Sequence, residues 1–275
     1  MPEGPEIRRA ADRVHRALAG RPADDVWFAF ERLERWASEL RGREVIAVEP
    51  RGKAMLTRFE GGVNVYSHNQ LYGTWRVTRA GNEPRSRRSR RFIVHNDTWS
   101  AWLLSASDIV VLRDNDLASH PYLAKLGPDP LAGEADADAI AERAASKRFR
   151  RRGLAGTLLD QSFVAGLGNY LRSEILFEAG VDPGDRPMDL DDAGLERLGR
   201  ATVTMLERGY RQAGVTVPES LMKAMKADGH PKRAYRHMVF GRAGQPCRRC
   251  GAEIERLEKA GRRIYVCPIC QPSAR

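Results

Sequence analysis

The chain has 275 residues, 42% of them apolar, which is enough to bury a sizeable core and to build more than one domain. Its 46 Lys and Arg outweigh 36 Asp and Glu, and the resulting net charge of +10 favours a polyanionic partner. No apolar run reaches about 18 residues, so no transmembrane helix is expected, and the N-terminus lacks the apolar core of a secretory signal. All four cysteines lie between Cys247 and Cys270, which does not fit a scattered disulfide framework, and a reducing cytoplasm is expected.

The first six residues are Met1-Pro2-Glu3-Gly4-Pro5-Glu6. If Met1 is removed, Pro2 presents a secondary amine followed at once by a carboxylate. An α-amino group titrates near pH 7.7–8.0, roughly two and a half units below a lysine amine, so it is uncharged far more often at neutral pH. An uncharged amine can attack carbon and form an iminium. The same residues also suit a plain helix lead-in, because proline is favoured in the first turn.

Residues 3–19 carry Ile7, Ala10, Ala11, Val14, Ala17 and Leu18 at helical spacing, ended by Gly20 and Pro22. From about 24 to 112, seven short β-prone runs are punctuated by turn residues such as Gly61-Gly62 and Gly81-Asn82, a pattern that predicts a β-sandwich or barrel. Lys53 falls on a turn before the strand at 54–59. The arginine-rich stretch from Arg85 to Arg91 reads as the solvated flank of a hairpin, with direct DNA contact as the alternative. Gly127-Pro128-Asp129-Pro130 and residues 133–138 read as a linker, and 138–226 as helical. Within that part, Gly166-Leu167-Gly168-Asn169 makes a tight turn into a new helix, whose N-terminal amides suit a phosphate. Glu174, on that helix, reads as a buried structural partner.

Cys247-x2-Cys250 and Cys267-x2-Cys270 form two knuckles separated by sixteen residues. Two such pairs complete a tetrahedral four-thiolate shell with no open position, so one structural Zn2+ is expected rather than a catalytic one. The competing arrangement is a pair of disulfides. Arg263-Ile264-Tyr265-Val266 reads as a strand of a zinc-stapled hairpin, and Arg262, just ahead of it, offers a guanidinium fork suited to phosphate.

The N-terminal hexapeptide, the Gly166–Asn169 turn and the four-cysteine ribbon, in that order, resemble the formamidopyrimidine-DNA glycosylase/endonuclease VIII family across essentially the whole chain. Within it, Val26–Phe30, Ser67–Gly73 and Ser105–Asp108 look most like the bacterial endonuclease VIII branch. The resemblance implies an α+β protein in three parts. These are an N-terminal β-sandwich catalytic domain with a leading helix (1–130), a helix-two-turn-helix domain (131–236) and a zinc-finger ribbon (237–271). It implies a bifunctional DNA glycosylase/AP lyase that removes oxidised pyrimidines from duplex DNA through a Schiff base on Pro2, followed by β- and δ-elimination. Glu3 would do acid/base work during ring opening, Lys53 would act as acid or phosphate clamp, and Arg262 would serve the second elimination. Gln70, Leu71 and Tyr72 would fill the stack once the base is rotated out, and Lys125 and Asn169 would contact phosphates. The expected partner is damaged double-stranded DNA, with the chain a monomer and no membrane or protein partner. Residues 211–236 follow the family poorly; Val215–Lys226 reads as a helix with a surface of its own, and lesion preference is open there. Two other readings remain: an oxidised-purine glycosylase, and a non-enzymatic zinc protein that binds damaged DNA, against which the intact Pro2, Glu3 and Lys53 argue.

Overall fold

The computed structural model describes residues 2–274. The chain divides into two compact units, Met1–Lys125 and Leu126–Arg275. Among the described residues no helix is long and apolar enough to cross a membrane.

The first unit opens with α1 (Gly4–Leu18), whose apolar stripe Ile7, Ala10, Ala11, Val14, Ala17 and Leu18 is buried as its spacing predicts. Two short strands follow, β1 (Arg21–Pro22) and β2 (Asp25–Phe28). Next comes a helix, α2 (Glu31–Leu40), between the first two β-prone runs and not itself among the expected elements. Its Leu33, Trp36, Ala37 and Leu40 recur at helical spacing and pack on the core. Then come β3 (Glu44–Arg51), β4 (Ala54–Phe59), β5 (Val63–His68), β6 (Thr74–Arg79), β7 (Arg90–His95), β8 (Trp99–Leu104) and β9 (Asp108–Arg113). They make two antiparallel-paired sheets, in the orders β1-β3-β4-β5-β9 and β2-β7-β8-β6.

Side chains from both sheets meet with α1 in one core, including Val48, Met55 and Val65 from one sheet and Phe28, Trp75 and Phe92 from the other. Phe28 and Phe92 stack at 4.7 Å between ring centroids. This is the expected sandwich. The connection from β6 to β7 is not the expected hairpin. Both strands pair with β8, one on each side, so they run parallel and residues 80–89 form a crossover.

The second unit contains α3 (Ala137–Ala145), α4 (Leu154–Thr157), α5 (Asn169–Ala179), α6 (Asp192–Arg211) and α7 (Glu219–Ala227), then the hairpin β10 (Glu255–Lys259) and β11 (Arg262–Val266). Residues 127–128, expected as linker, are bonded into this unit: Gly127 N–H donates to the Gln161 carbonyl at 2.8 Å and Ala165 N–H to that of Pro128 at 3.0 Å. A glycine is required at 199, where a Cβ would sit 2.1 Å from the Ala137 carbonyl, and this is how α3 and α6 approach so closely. Ile264 and Val266 of β11 share a core with Leu154, Leu171 and Met205, so the finger hairpin lies on the helical body. Helix α7 begins four residues later than expected. Its Met222 and Met225 are not a separate surface but pack, partly buried, beside Val217 and Val239.

Candidate active site and DNA-binding surface

In the first unit, Glu3 is the N-cap of α1, and its N–H donates to Glu6 Oε2 at 3.1 Å. The exchange of bonds between Glu3 and the third helical position fixes where the chain enters the helix. Pro2 therefore sits one residue ahead of a rigid helix start, beside Glu3, which is only 4% exposed. The partial positive charge of a helix N-terminus disfavours a second positive charge on an adjacent amine.

Lys53 follows Gly52, whose φ of +58° makes the tight turn between β3 and β4. The Lys53 N–H donates to the Tyr122 hydroxyl oxygen at 2.8 Å. His68, at the end of β5, pairs across the sheet with Ala54, next to Lys53. Burial lowers the His68 pKa; Asp108 opposes the shift and Lys53 adds to it. A neutral His68 fits its bond, because Nδ1 accepts from the Gln70 N–H at 3.0 Å. In the sequence, His68 stands out only as part of the Ser67–Gly73 stretch. Its position between Lys53 and Gln70 comes from the β4–β5 register.

The Gln70-Leu71-Tyr72 loop is closed at its neck: Gly73 N–H donates to the Asn69 carbonyl at 2.7 Å. A Cβ at Gly73 would lie 2.4 Å from that oxygen, so only glycine closes the loop this tightly. Gln70 adopts φ +50°, a left-handed conformation that costs on the order of 1 kcal/mol for a non-glycine residue. Its side-chain oxygen accepts from Ser107 Oγ at 2.7 Å. Leu71 and Tyr72 are 54% and 66% exposed, so these residues are not a buried strand end. Lys125 is exposed at the end of this unit.

In the second unit, the turn ends at Gly168 and α5 starts at Asn169. One Nδ2 proton of Asn169 goes to the Arg263 carbonyl at 3.0 Å, and its Oδ1 accepts from Arg172 at 2.7 Å. Arg172 is fully buried and also donates to the carbonyls of Ala155, Lys259 and Arg263 at 3.0–3.2 Å. These bonds fasten both strands of the finger hairpin to α4 and α5. Ala260 and Gly261, at φ +52° and +68°, form the two-residue turn of that hairpin, and Arg262 follows at its exposed tip. Sequence reading missed Arg172, because its partners lie up to 91 residues away.

The four cysteine sulfurs lie within 4.8 Å of one another. Cys250–Cys267 and Cys247–Cys270 are separated by 3.4 and 3.9 Å, too far for disulfides at about 2.05 Å. A tetrahedron with Zn–S bonds of about 2.3 Å has edges of about 3.8 Å, so the shell fits one zinc ion. Arg249 and Cys270 amides point at the sulfurs of Cys247 and Cys267. The Ala252 amide, aided by the Cys267 thiol, pulls the Cys250 pKa down, whereas burial pushes the Cys267 and Cys270 thiols up, so a bound metal would have to displace their protons. Bound zinc would hold the ribbon in shape.

Glu174, Thr216 and His237 form a buried cluster behind the finger. Glu174 Oε2 accepts from Thr216 Oγ1 at 2.6 Å and from Met238 N–H at 2.8 Å; Oε1 accepts from Val239 and Phe240 N–H, both at 2.9 Å. This is the structural role expected for Glu174. With its proton committed to the carboxylate, Thr216 Oγ1 accepts from His237 Nδ1 at 2.9 Å. Burial, then Arg236 and Lys232, pushes the His237 pKa down from 6.5 to about 3. The folded protein thus refuses a proton that the unfolded chain takes up between these values, so His237 stabilises the fold above pH 6.5 and this contribution is lost as pH falls toward 3. Between pH 6.5 and 5 the loss should be about 2 kcal/mol. Urea unfolding at pH 7 and 5 should show it, and His237→Gln should flatten the dependence by that amount. An unchanged slope in the variant would remove His237 from the account.

Buried Glu3 at the capped start of α1, the exposed loop at residues 70–72, the glycine turn into α5 and the four-thiolate finger, on a chain of net charge +10, fit a nucleic-acid-processing zinc protein. Family models match in the same order: the formamidopyrimidine-DNA glycosylase N-terminal domain over residues 1–109, the formamidopyrimidine-DNA glycosylase H2TH domain over 126–220, and the zinc finger found in FPG and IleRS over 244–272. Endonuclease 8 of Shigella sonnei (strain Ss046) is 44% identical over 271 residues, covering 98% of this chain and all of that protein, and Endonuclease 8 of Escherichia coli O17:K52:H18 (strain UMN026) matches equally. The chain belongs to the formamidopyrimidine-DNA glycosylase/endonuclease VIII family. The fold is also that of Lactococcus lactis formamidopyrimidine-DNA glycosylase bound non-covalently to DNA containing an AP site, with a TM-score of 0.79 at 21% identity over 98% of this chain and 100% of that one.

Proposed function

We propose that this chain is a bifunctional DNA glycosylase/AP lyase of base excision repair, acting on oxidised pyrimidines in duplex DNA. The observation that carries the reading is Pro2 held beside buried Glu3 at the capped start of α1. Full-length similarity to proteins named Endonuclease 8 supports the pyrimidine branch.

In this mechanism the neutral Pro2 nitrogen forms a bond to C1′ as the glycosidic bond breaks and the damaged base leaves with a proton. Glu3 exchanges protons with the sugar as its ring opens to the iminium. The iminium acidifies C2′–H. Loss of that proton expels the 3′ phosphate, and a second elimination expels the 5′ phosphate. Lys53 supplies the acid or phosphate clamp for the first elimination and Arg262 serves the second. Leu71 fills the gap left by the extruded base, Tyr72 stacks and Gln70 meets the orphaned partner. Lys125 and Asn169 hold phosphates, Asn169 while also tying α5 to the finger. The chain works as a monomer in the cytoplasm.

Borohydride trapping tests the reading. Duplexes containing thymine glycol or dihydrouracil should give covalent complexes and strand cleavage, and an 8-oxoguanine duplex far less. Preference for 8-oxoguanine would move the chain to the purine branch, and no adduct even on an abasic duplex would leave a binding protein only.

A further inference from the structure

The run Arg85-Ser86-Arg87-Arg88-Ser89-Arg90-Arg91 is absorbed by none of the roles above. Its placement follows from topology. Because β6 and β7 are parallel neighbours of β8, the crossover between them must return the chain to the end of the sheet where β6 began. That end is where the Gln70–Tyr72 loop enters β6. Thr74 and Arg90, the first residues of β6 and β7, both pair with Leu104 of β8.

Two contacts hold the arginine-rich end there, and a third ties the wedge loop to the same segment. The Arg88 guanidinium donates to the Tyr72 carbonyl. Ser105 N–H donates to the Ser89 carbonyl at 2.8 Å. Ser107, two residues further on, holds Gln70. Arg90 pairs with Glu83 and lies over the Trp102 ring at 5.5 Å, and Arg91 lies over Phe30 at 5.3 Å. Arg85 and Arg87 differ from these. Both are exposed, and neither has a carboxylate partner among the described residues. Two uncompensated guanidiniums therefore stand on a strap whose neighbouring residue is bonded to the backbone of the wedge loop.

We infer that Arg85 and Arg87 form a second phosphate-binding element of this chain, gripping the DNA backbone beside the site that the wedge loop enters, with Arg88 docking the strap to that loop. The ligand is the phosphodiester backbone, for which a guanidinium fork supplies charge and paired donors. The inference rests on the repair-enzyme reading for the presence of DNA at that loop. It adds a footprint that Lys125 and Asn169 do not supply.

The test is a salt titration of binding to a duplex carrying a non-cleavable tetrahydrofuran abasic site. Each phosphate contact contributes about 0.9 to the slope of log affinity against log salt, so Arg85→Ala/Arg87→Ala should lower its magnitude by about 1.8. Raising salt from 50 to 200 mM should then cost the variant about tenfold less affinity than it costs the unsubstituted protein. Arg85→Lys/Arg87→Lys keeps the charges and should restore the slope. Coincident slopes for the alanine variant and the unsubstituted protein overturn the inference, as expected if the strap instead meets an acidic protein. Failure of the lysine pair to restore the slope also overturns it, because a steric role would then explain the loss. If the repair reading itself is wrong, the unsubstituted protein gives no trapped adduct, a result that does not depend on these arginines.

Discussion

Protein shown by mass to retain Met1 should yield no borohydride-stable adduct with an abasic duplex, whereas protein beginning at Pro2 should yield one. Within a Met1–Pro2 peptide bond the proline nitrogen is a tertiary amide; its lone pair is delocalised and it cannot form an iminium. The expected loss is total because the proposed mechanism gives no other group the nucleophile's place. It is also separable from folding. The helix cap is made by Glu3 and Glu6, so an extra residue ahead of it leaves the thermal midpoint within about 1 °C, in line with the small effects of surface changes. Pro2→Gly, processed to a primary amine, should trap more weakly but measurably. Full trapping by Met1-bearing protein would move the nucleophile elsewhere, and a lysine would then have to be sought.

Glu174→Leu should cost the second unit 3–5 kcal/mol, roughly what removing one partner from a buried charged network costs. The carboxylate is 1% exposed and accepts from three consecutive amides, Met238, Val239 and Phe240, as well as from Thr216. Leucine would strand those donors in an apolar setting, at about 1–3 kcal/mol each before relaxation. Typical domains have only 5–15 kcal/mol in total, so the variant should unfold at much lower urea and release zinc earlier in the titration. Glu174→Gln, which keeps one acceptor oxygen, should fall between. A loss below about 1 kcal/mol would mean the amides find water or another acceptor, and the cluster would no longer explain how the segment after His237 is fixed.

The parts of this fold that sequence exposes are those whose signal is local. Helix α1 has its stripe and its cap within fifteen residues. The cysteine knuckles carry their own spacing, and the finger hairpin its glycine turn. Helix α2 carries an equally local signal in Leu33, Trp36, Ala37 and Leu40, but its ten residues sit between two β-prone runs and do not stand out as an element. What sequence could not supply was pairing at a distance. The placement of β8 between β6 and β7 turned an apparent hairpin into a crossover, and with it moved the arginine run to the wedge loop. Arg172 and His68 gained their positions from partners that only the folded chain assembles. The proposed chemical groups Pro2, Glu3 and Lys53 were readable as residues, and so was the turn that carries Lys53, but the Tyr122 hydroxyl that anchors that turn was not.

The neck of the Asn69–Gly73 loop is fastened by main-chain atoms, the amide of one end on the carbonyl of the other. None of the side chains at positions 71 and 72 takes part in that closure. The tip is thus a cassette: its apolar and aromatic contents can be exchanged while its main-chain closure stays, so selection or an engineer could change what the loop presents without rebuilding the sandwich that carries it.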